Sequence, residues 1–498
     1  MSTETPGAPS PVPTPGIGAR MLHRKPISAL IAESGQSIEE GGAAAAQEAA
    51  HGEAGHGHLR RTIGLAQLSA IGIGATIGTG IFFVLNTSVP EAGPAVIVSF
   101  VLAAITAGLT ALCYAELASA IPVSGSSYSY AYATLGQAVG FGVGACLLLE
   151  YGVSASAVAV GWGQYLNEFF SDAFGFSLPE AIAAPPGDGG VVNVPAMVLV
   201  GLCCLLLVRG ARESATANAV MVAIKLLVLV LFVCIGFTGF HSGNLHPFAP
   251  LGFAGITSAA SSIFFSFIGL DAVSTAGEEV RNPRRTMPLA IIIALGVVTL
   301  FYILVALAAV GAQKWTIFQG QDAGLAQILK NVTGSSWPAV MFSLGAIVSI
   351  FSVTLVVIYG QTRILYTMGR DGVLPRRFAE VSPRTGTPVW NTWVVGIGVA
   401  LLAGFVPLDE LADLTSMGTL VAFSVVSIGV IVLRRTQPNL PRGFKVPGYP
   451  VVPVLSVAFC AYLIYGLHWQ TYAAFGAWLA GAAVVYFGYS VRHAKLHS

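Results

Sequence analysis

Gly72-Ile73-Gly74-Ala75-Thr76-Ile77-Gly78-Thr79-Gly80-Ile81-Phe82 lies inside the first apolar stretch long enough to cross a bilayer. Glycine loses more conformational freedom in a helix than any other residue, about 1 kcal/mol per position relative to alanine. Glycines spaced this closely undermine a continuous helix. A second stretch, Phe264-Phe265-Ser266-Phe267-Ile268-Gly269-Leu270-Asp271, sets a glycine and an acid at the midpoint of another span. Backbone that unwinds at membrane depth frees N–H and C=O groups, which is tolerated only where they line a cavity and bind something. The N-termini of half-helices favour a carboxylate, and freed carbonyls favour an ammonium. Opposite poles of this kind suit a zwitterionic amino acid.

The glycines have two other readings. Gly74 and Gly78 also have the spacing of a small-residue packing face. A dinucleotide loop is a poor match, because the pattern is Gly72-x-Gly74-x-x-x-Gly78 in an apolar span and not GxGxxG after a strand. Position along the chain favours the unwound reading: the interrupted spans are the first and the sixth, the offset expected of two five-helix repeats of inverted topology.

Composition fixes the class. The 498 residues are 55% hydrophobic and 9% charged, with mean hydropathy +0.76, whereas a soluble domain has about 25% charged residues. This is an all-α integral membrane protein. Net charge is +1, so nothing calls for a nucleic acid or an acidic macromolecular partner. All six cysteines fall in apolar runs and read as small packing residues.

About twelve segments have spanning length: 64–90, 93–119, 138–171, 192–210, 212–240, 255–280, 286–313, 337–370, 389–406, 411–434, 451–467 and 471–490. Lysine and arginine cluster before the first span, in alternate loops (209–212, 281–285, 370–384, 434–445) and after the last. Both termini are therefore predicted cytoplasmic in a multi-pass cell-membrane protein. The expected organisation is a largely disordered cytoplasmic extension over 1–60, a ten-helix transport core over 61–434, and two additional helices with a short tail over 435–498. Within the extension, 21–32 has the pattern of a short amphipathic helix lying on the inner membrane face. His51, His56 and His58 lack a regular ligand spacing and read as part of a polar tether, so no metal or other cofactor is expected.

Lys225 stands alone in the apolar run 217–240. A charge at that depth costs several kcal/mol, roughly 2.5–3.5 on insertion scales. At about 1.5 Å per residue it is too far from Arg209 and Arg212 to snorkel out beside them. Its ammonium must face protein or a water-filled cavity.

The chain resembles the amino acid–polyamine–organocation superfamily, and within it the cationic amino acid transporter branch. The stretches that carry the likeness include Arg60-Arg61-Thr62-Ile63-Gly64, the glycine break, Cys113-Tyr114-Ala115-Glu116, Leu149-Glu150-Tyr151-Gly152, Glu278-Glu279-Val280-Arg281-Asn282-Pro283, Tyr359-Gly360-Gln361-Thr362-Arg363 and Arg370-Asp371-Gly372. The resemblance implies that a substrate carboxylate meets backbone amides at Gly78, Thr79 and Gly80 beside Thr76, and that its amine meets carbonyls of Phe265, Ser266 and Ile268. It implies that Lys225 occupies the place of a coupling ion. An amine in a dry cavity can gain and lose a proton near neutral pH; held permanently charged, it would instead act as a fixed cation. Glu150 matches a family acid near the substrate pocket and is the second candidate for charge coupling. Asp271 is expected either to cap the half-helix after the sixth break or to touch substrate. Glu116 is expected to be a solvated or paired gate residue. Glu278 and Glu279 are expected to pair with Arg281, Arg284 and Arg285.

The expected activity is secondary active transport of L-amino acids such as alanine or cationic amino acids, driven by protons through alternating access. The alternatives are an uncoupled uniporter or exchanger and a membrane amino acid sensor. The histidines supply no convergent acid–base or metal set for an enzyme. The partners implied are the amino acid, protons and lipid, with a small membrane protein as an open possibility.

Overall fold

The first span is broken where the glycines fall. In the computed structural model, which describes residues 17–27, 30, 63–78, 80–121, 123, 126–210, 215–276 and 280–494, helix Leu65–Thr76 stops at an extended Ile77, and Gly78 takes φ +117°. Helix resumes over Val84–Ala92. The sixth span behaves in the same way. Helix Gly252–Ile263 tightens into a 3-10 turn at Phe264–Phe267, Ile268 is extended, Gly269 takes φ +100°, and a short helix follows at Ala272–Thr275. Positive φ of this size favours glycine at both places.

Eight helical stretches are long and apolar enough to cross a membrane, and four shorter apolar helices accompany them, among the described residues. Each of the twelve expected segments contains helix. One printed stretch, Val84–Ala120, joins the second half of the first span to the second span through a turn at Gly93, where φ is +65°. The third, eighth and tenth spans are long single helices, Gln137–Phe174, Trp337–Arg370 and Leu408–Thr436. The third packs along both the eighth and the tenth, while the seventh, Pro283–Ala312, packs along the second. The last two helices, Val451–Tyr465 and Trp469–Val485, lie against the tenth. Among the described residues the only β feature is a bridge between Ile63 and Val280, reinforced by the Arg281 amide donating to the Ile63 carbonyl at 2.9 Å. It ties the entry to the first span to the exit from the sixth.

The helix expected over 21–32 is not continuous. A helical turn covers Ile17–Met21, residues 23–26 are not helical, and helix geometry returns at Ile27. Pro26 disfavours α geometry at the preceding Lys25. Lys25, Ile27 and Leu30 are buried in protein, so this segment docks into the bundle and does not lie on the bilayer. The three tail histidines fall outside the described residues.

Candidate substrate site at the crossing of two broken helices

The two breaks touch through their glycines. A β-carbon added to Gly80 would come 2.2 Å from Ser266 Oγ and 2.8 Å from its Cα; one added to Gly269 would come 2.7 Å from the Ala75 carbonyl oxygen. Gly78 packs on Val353 of the eighth span, and Gly74 on Val222 of the fifth. Two unwound segments in backbone contact leave polar groups to be satisfied. Tyr302 of the seventh span supplies part of the answer, its hydroxyl lying 2.9 Å from the Thr76 carbonyl and 2.7 Å from the Ser266 carbonyl. The Phe265 carbonyl accepts from the Ile268 amide at 3.2 Å. The Thr76 hydroxyl donates to Gly72 O within its own helix at 2.8 Å. By contrast, the amides of Gly78 and Gly80 donate to no protein acceptor among the described residues, although both glycines are buried. The Ser266 hydroxyl is likewise buried without a partner. Thr79 lies outside the described residues.

Lys225 is buried, and its ammonium donates to the Gly74 carbonyl at 2.7 Å. The fifth helix, Ala215–Thr238, thereby holds the first span one turn before its break.

On the side of the breaks that faces the chain ends, the enclosure is polar. Asp271 forms no side-chain cap on the helix it precedes. Its Oδ2 instead accepts from Tyr151 at 2.9 Å and from Ser126 at 3.5 Å, which corrects the capping role expected of it: the acid turns sideways to the third span and to helix Ser126–Leu135. The Ser274 hydroxyl lies 2.6 Å from the Asp271 carbonyl and 3.1 Å from Ser126 Oγ. Glu150 is 0% exposed and neither carboxyl oxygen accepts a hydrogen bond within ordinary geometry. It lies within Coulombic reach of Asp271 and beside Thr419 of the tenth span. Enclosed carboxyls of this kind call for a proton or a cation.

A sequence model whose description is amino acid permease matches residues 63–487. The chain belongs to this family. The permease is 44% identical over 447 residues to the branched-chain amino acid permease of Bacillus subtilis (strain 168), an alignment covering 89% of this chain and 96% of the relative. It is 43% identical to the methylthioribose transporter of the same organism, covering 88% and 95%. It is 37% identical to a vacuolar cationic amino acid transporter of Arabidopsis thaliana, covering 76% and 64%. Family membership makes it a multi-pass membrane transporter and not an enzyme.

The opposite side of the permease's breaks is closed by rings. Phe82 lies 5.8 Å from Phe342 and 6.1 Å from Tyr165, Phe342 lies 5.7 Å from Phe232, and Phe83 lies 5.8 Å from Phe265. The Tyr165 hydroxyl donates to the Phe82 carbonyl at 2.5 Å. At its rim His468 Nδ1 meets Asp413 Oδ2 at 2.7 Å, with Glu91 at 3.9 Å from Nε2, while Ser262 donates to Asp413 at 2.6 Å. Hydrogen bonding to Asp413, helped by the charges of Asp413, Glu91 and Asp409, pushes the His468 pKa up to about 9 against a smaller opposing effect of burial.

Sequence reasoning missed Tyr302, the aromatic closure and the His468 cluster. Each is a single side chain in an apolar stretch, or a pairing across more than fifty residues, and neither leaves a periodic signal. Glu116 is paired and not solvated: Arg434 reaches it at 2.5 Å and Arg442 at 3.4 Å. Five cysteines are buried and Cys234 is exposed; all are free thiols. Glu278 and Glu279 lie outside the described residues.

Proposed function

We propose that the crossing of the two breaks is the binding site for an amino acid, which this permease takes across the cell membrane by alternating access with proton coupling. The observation that carries the reading is the pair of buried, unengaged amides at Gly78 and Gly80, in a break that lies in backbone contact with the second one. A carboxylate satisfies such amides at low cost because no protein bond must break first. The ammonium of the same molecule finds carbonyl lone pairs at Phe265, Ser266 and Ile268. Both carbonyls already engaged there keep a second lone pair. The methylthioribose relative warns that this backbone frame alone does not fix the cargo, so the side-chain walls decide.

Those walls are apolar where they are nearest: Val353 against Gly78, Phe83 against Phe265, and Ile268. They fit a medium aliphatic side chain, in line with the branched-chain name of one relative. A second reading rests on Glu150, whose enclosed carboxyl suits a cationic side chain and accords with the cationic transporter relative.

Lys225 supports coupling. Its ammonium takes a carbonyl of the first span, so gain or loss of its proton changes the grip of the fifth helix on the break. In this reading both termini face the cytoplasm, in line with the Lys and Arg of the loops. The test is uptake into proteoliposomes of leucine, alanine, arginine and methylthioribose, with and without an inward proton gradient, for the parent and Lys225→Ala. Gradient-driven accumulation lost in the variant, with exchange retained, supports coupling through Lys225. Uptake indifferent to the gradient in the parent makes the protein a uniporter. Uptake of methylthioribose alone overturns the amino acid reading.

A further inference from the structure

The segment 17–27 is joined to the bundle at four points on three elements. Arg20 Nη1 donates to the carbonyls of Val491 and Arg492 at 3.2 and 3.0 Å, at the end of the last span. The Gln137 amide, opening the third span, donates to the His23 carbonyl at 2.9 Å. Gly136, with φ +105°, lets the Leu22 backbone lie where a β-carbon would stand only 3.1 Å away. Lys25, 1% exposed, reaches Asp371 Oδ1 at 3.1 Å just past the eighth span. The other oxygen of Asp371 accepts from Tyr128 at 2.9 Å.

Tyr128 belongs to helix Ser126–Leu135, and two residues away Ser126 bonds Asp271 and Ser274 of the sixth span. A line of contacts therefore runs from the N-terminal segment to the polar side of the substrate site: side-chain bonds from Lys25 through Asp371 to Tyr128, the backbone of helix Ser126–Leu135 from Tyr128 to Ser126, and side-chain bonds again from Ser126 through Asp271 to Tyr151. A lysine taken fully out of water is costly unless paired. This one is spent on a strap and not on the transport path.

We propose that residues 17–27 form a latch that pins helix Ser126–Leu135 to the end of the eighth span and so holds the site closed toward the face carrying the chain ends. Opening toward that face requires the half-span after the sixth break to part from the third span. Ser126 and Tyr128 link that half-span to Asp371, so the movement either carries Asp371 with it or breaks the Tyr128 bond. Lys25 and the backbone bonds of 22–23 keep Asp371 in place. Loosening the latch then favours the state open on this face. The inference rests on the alternating-access reading above.

The test is hydrogen–deuterium exchange of the full chain in lipid nanodiscs without added substrate, so its result does not depend on which cargo is carried. Removing Lys25 alone would leave Asp371 buried without its cation, so the main variant is the neutral pair Lys25→Met with Asp371→Asn. Tyr128→Phe is the second variant, since it keeps the ion pair and cuts only the link to the helix. The expected result is exchange on the order of tenfold faster across 126–135 and 272–276 in both variants, with helix Val389–Phe405 unchanged. Unchanged exchange at 126–135 overturns the latch, as does a rise spread equally over Val389–Phe405, which would report general loosening. If the parent proves not to move amino acids while the exchange pattern appears as expected, the function reading falls and the latch stands.

Discussion

The two closures over the crossing are built from different materials. Toward the face opposite the chain ends the site is shut by Phe82, Phe83, Tyr165, Phe232, Phe265 and Phe342, with a polar rim at His468. Toward the face of the chain ends it is shut by Glu150, Tyr151, Asp271, Ser126 and Ser274, all buried. An aromatic closure parts with little electrostatic consequence, since its rings carry no net charge. A carboxyl closure changes energy steeply when water enters, because hydration of an enclosed acid is worth several kcal/mol. The difference teaches where proton linkage can enter the cycle: solvent access on the carboxyl side alters the cost of charge, and on the aromatic side it alters packing.

Removing a ring should have the largest effect on stability. Phe342→Ala empties the centre of the aromatic closure and is expected to cost about 3–5 kcal/mol, as for other buried Phe→Ala changes, read by thermal unfolding in detergent. A loss well under 1 kcal/mol would mean the rings do not form one packed unit. On the other side, Tyr151→Phe removes a donor to a carboxyl and is expected to cost about 1.5–3 kcal/mol. It should also shift the pH profile of proteoliposome uptake, whereas the Phe342 change should not. If both variants move the profile equally, the division into packing and charge fails. Smaller again is Tyr165→Phe, which deletes the bond to the Phe82 carbonyl and is expected to cost about 1 kcal/mol, with the pH profile unmoved.

The weakest effect belongs to His468. Its pKa is raised from 6.5 to about 9, so the pair with Asp413 contributes fully below about pH 6.5 and is lost as pH rises through about 9. Its side chain is 56% exposed, so solvent screens the contribution. Thermal stability of the parent should fall slightly between pH 7 and 10 relative to His468→Gln. Parallel curves for the two proteins would remove the histidine from the rim.

Much of the frame was legible because membranes impose long apolar spans and because glycine is the residue that permits a break. The stretch 72–82 announced its own unwinding, and Gly269 did so in the sixth span. Lys225 stood out because a lone charge in an apolar run has no bland explanation. What stayed hidden depends on pairings between distant segments. Lys25 and Asp371 are separated by 346 residues, and nothing in the local pattern of either points to the other. The sideways turn of Asp271 was not legible because capping, one of its two expected roles, is the familiar local one for a residue preceding a helix, and here it loses to the Tyr151 hydroxyl. Tyr302 was invisible for the same reason: one tyrosine in a thirty-residue apolar helix, Pro283–Ala312, looks like filler until the two breaks are brought beside it.

Tyr302 has a consequence of its own. A phenol owns a single proton, and two carbonyls from two different broken helices stand within its reach. The proton serves one of them at a time, so the hydroxyl ties the two breaks together through either carbonyl. A cation drawing on either carbonyl would bias where that proton goes, and in doing so would tell one broken helix what has happened at the other.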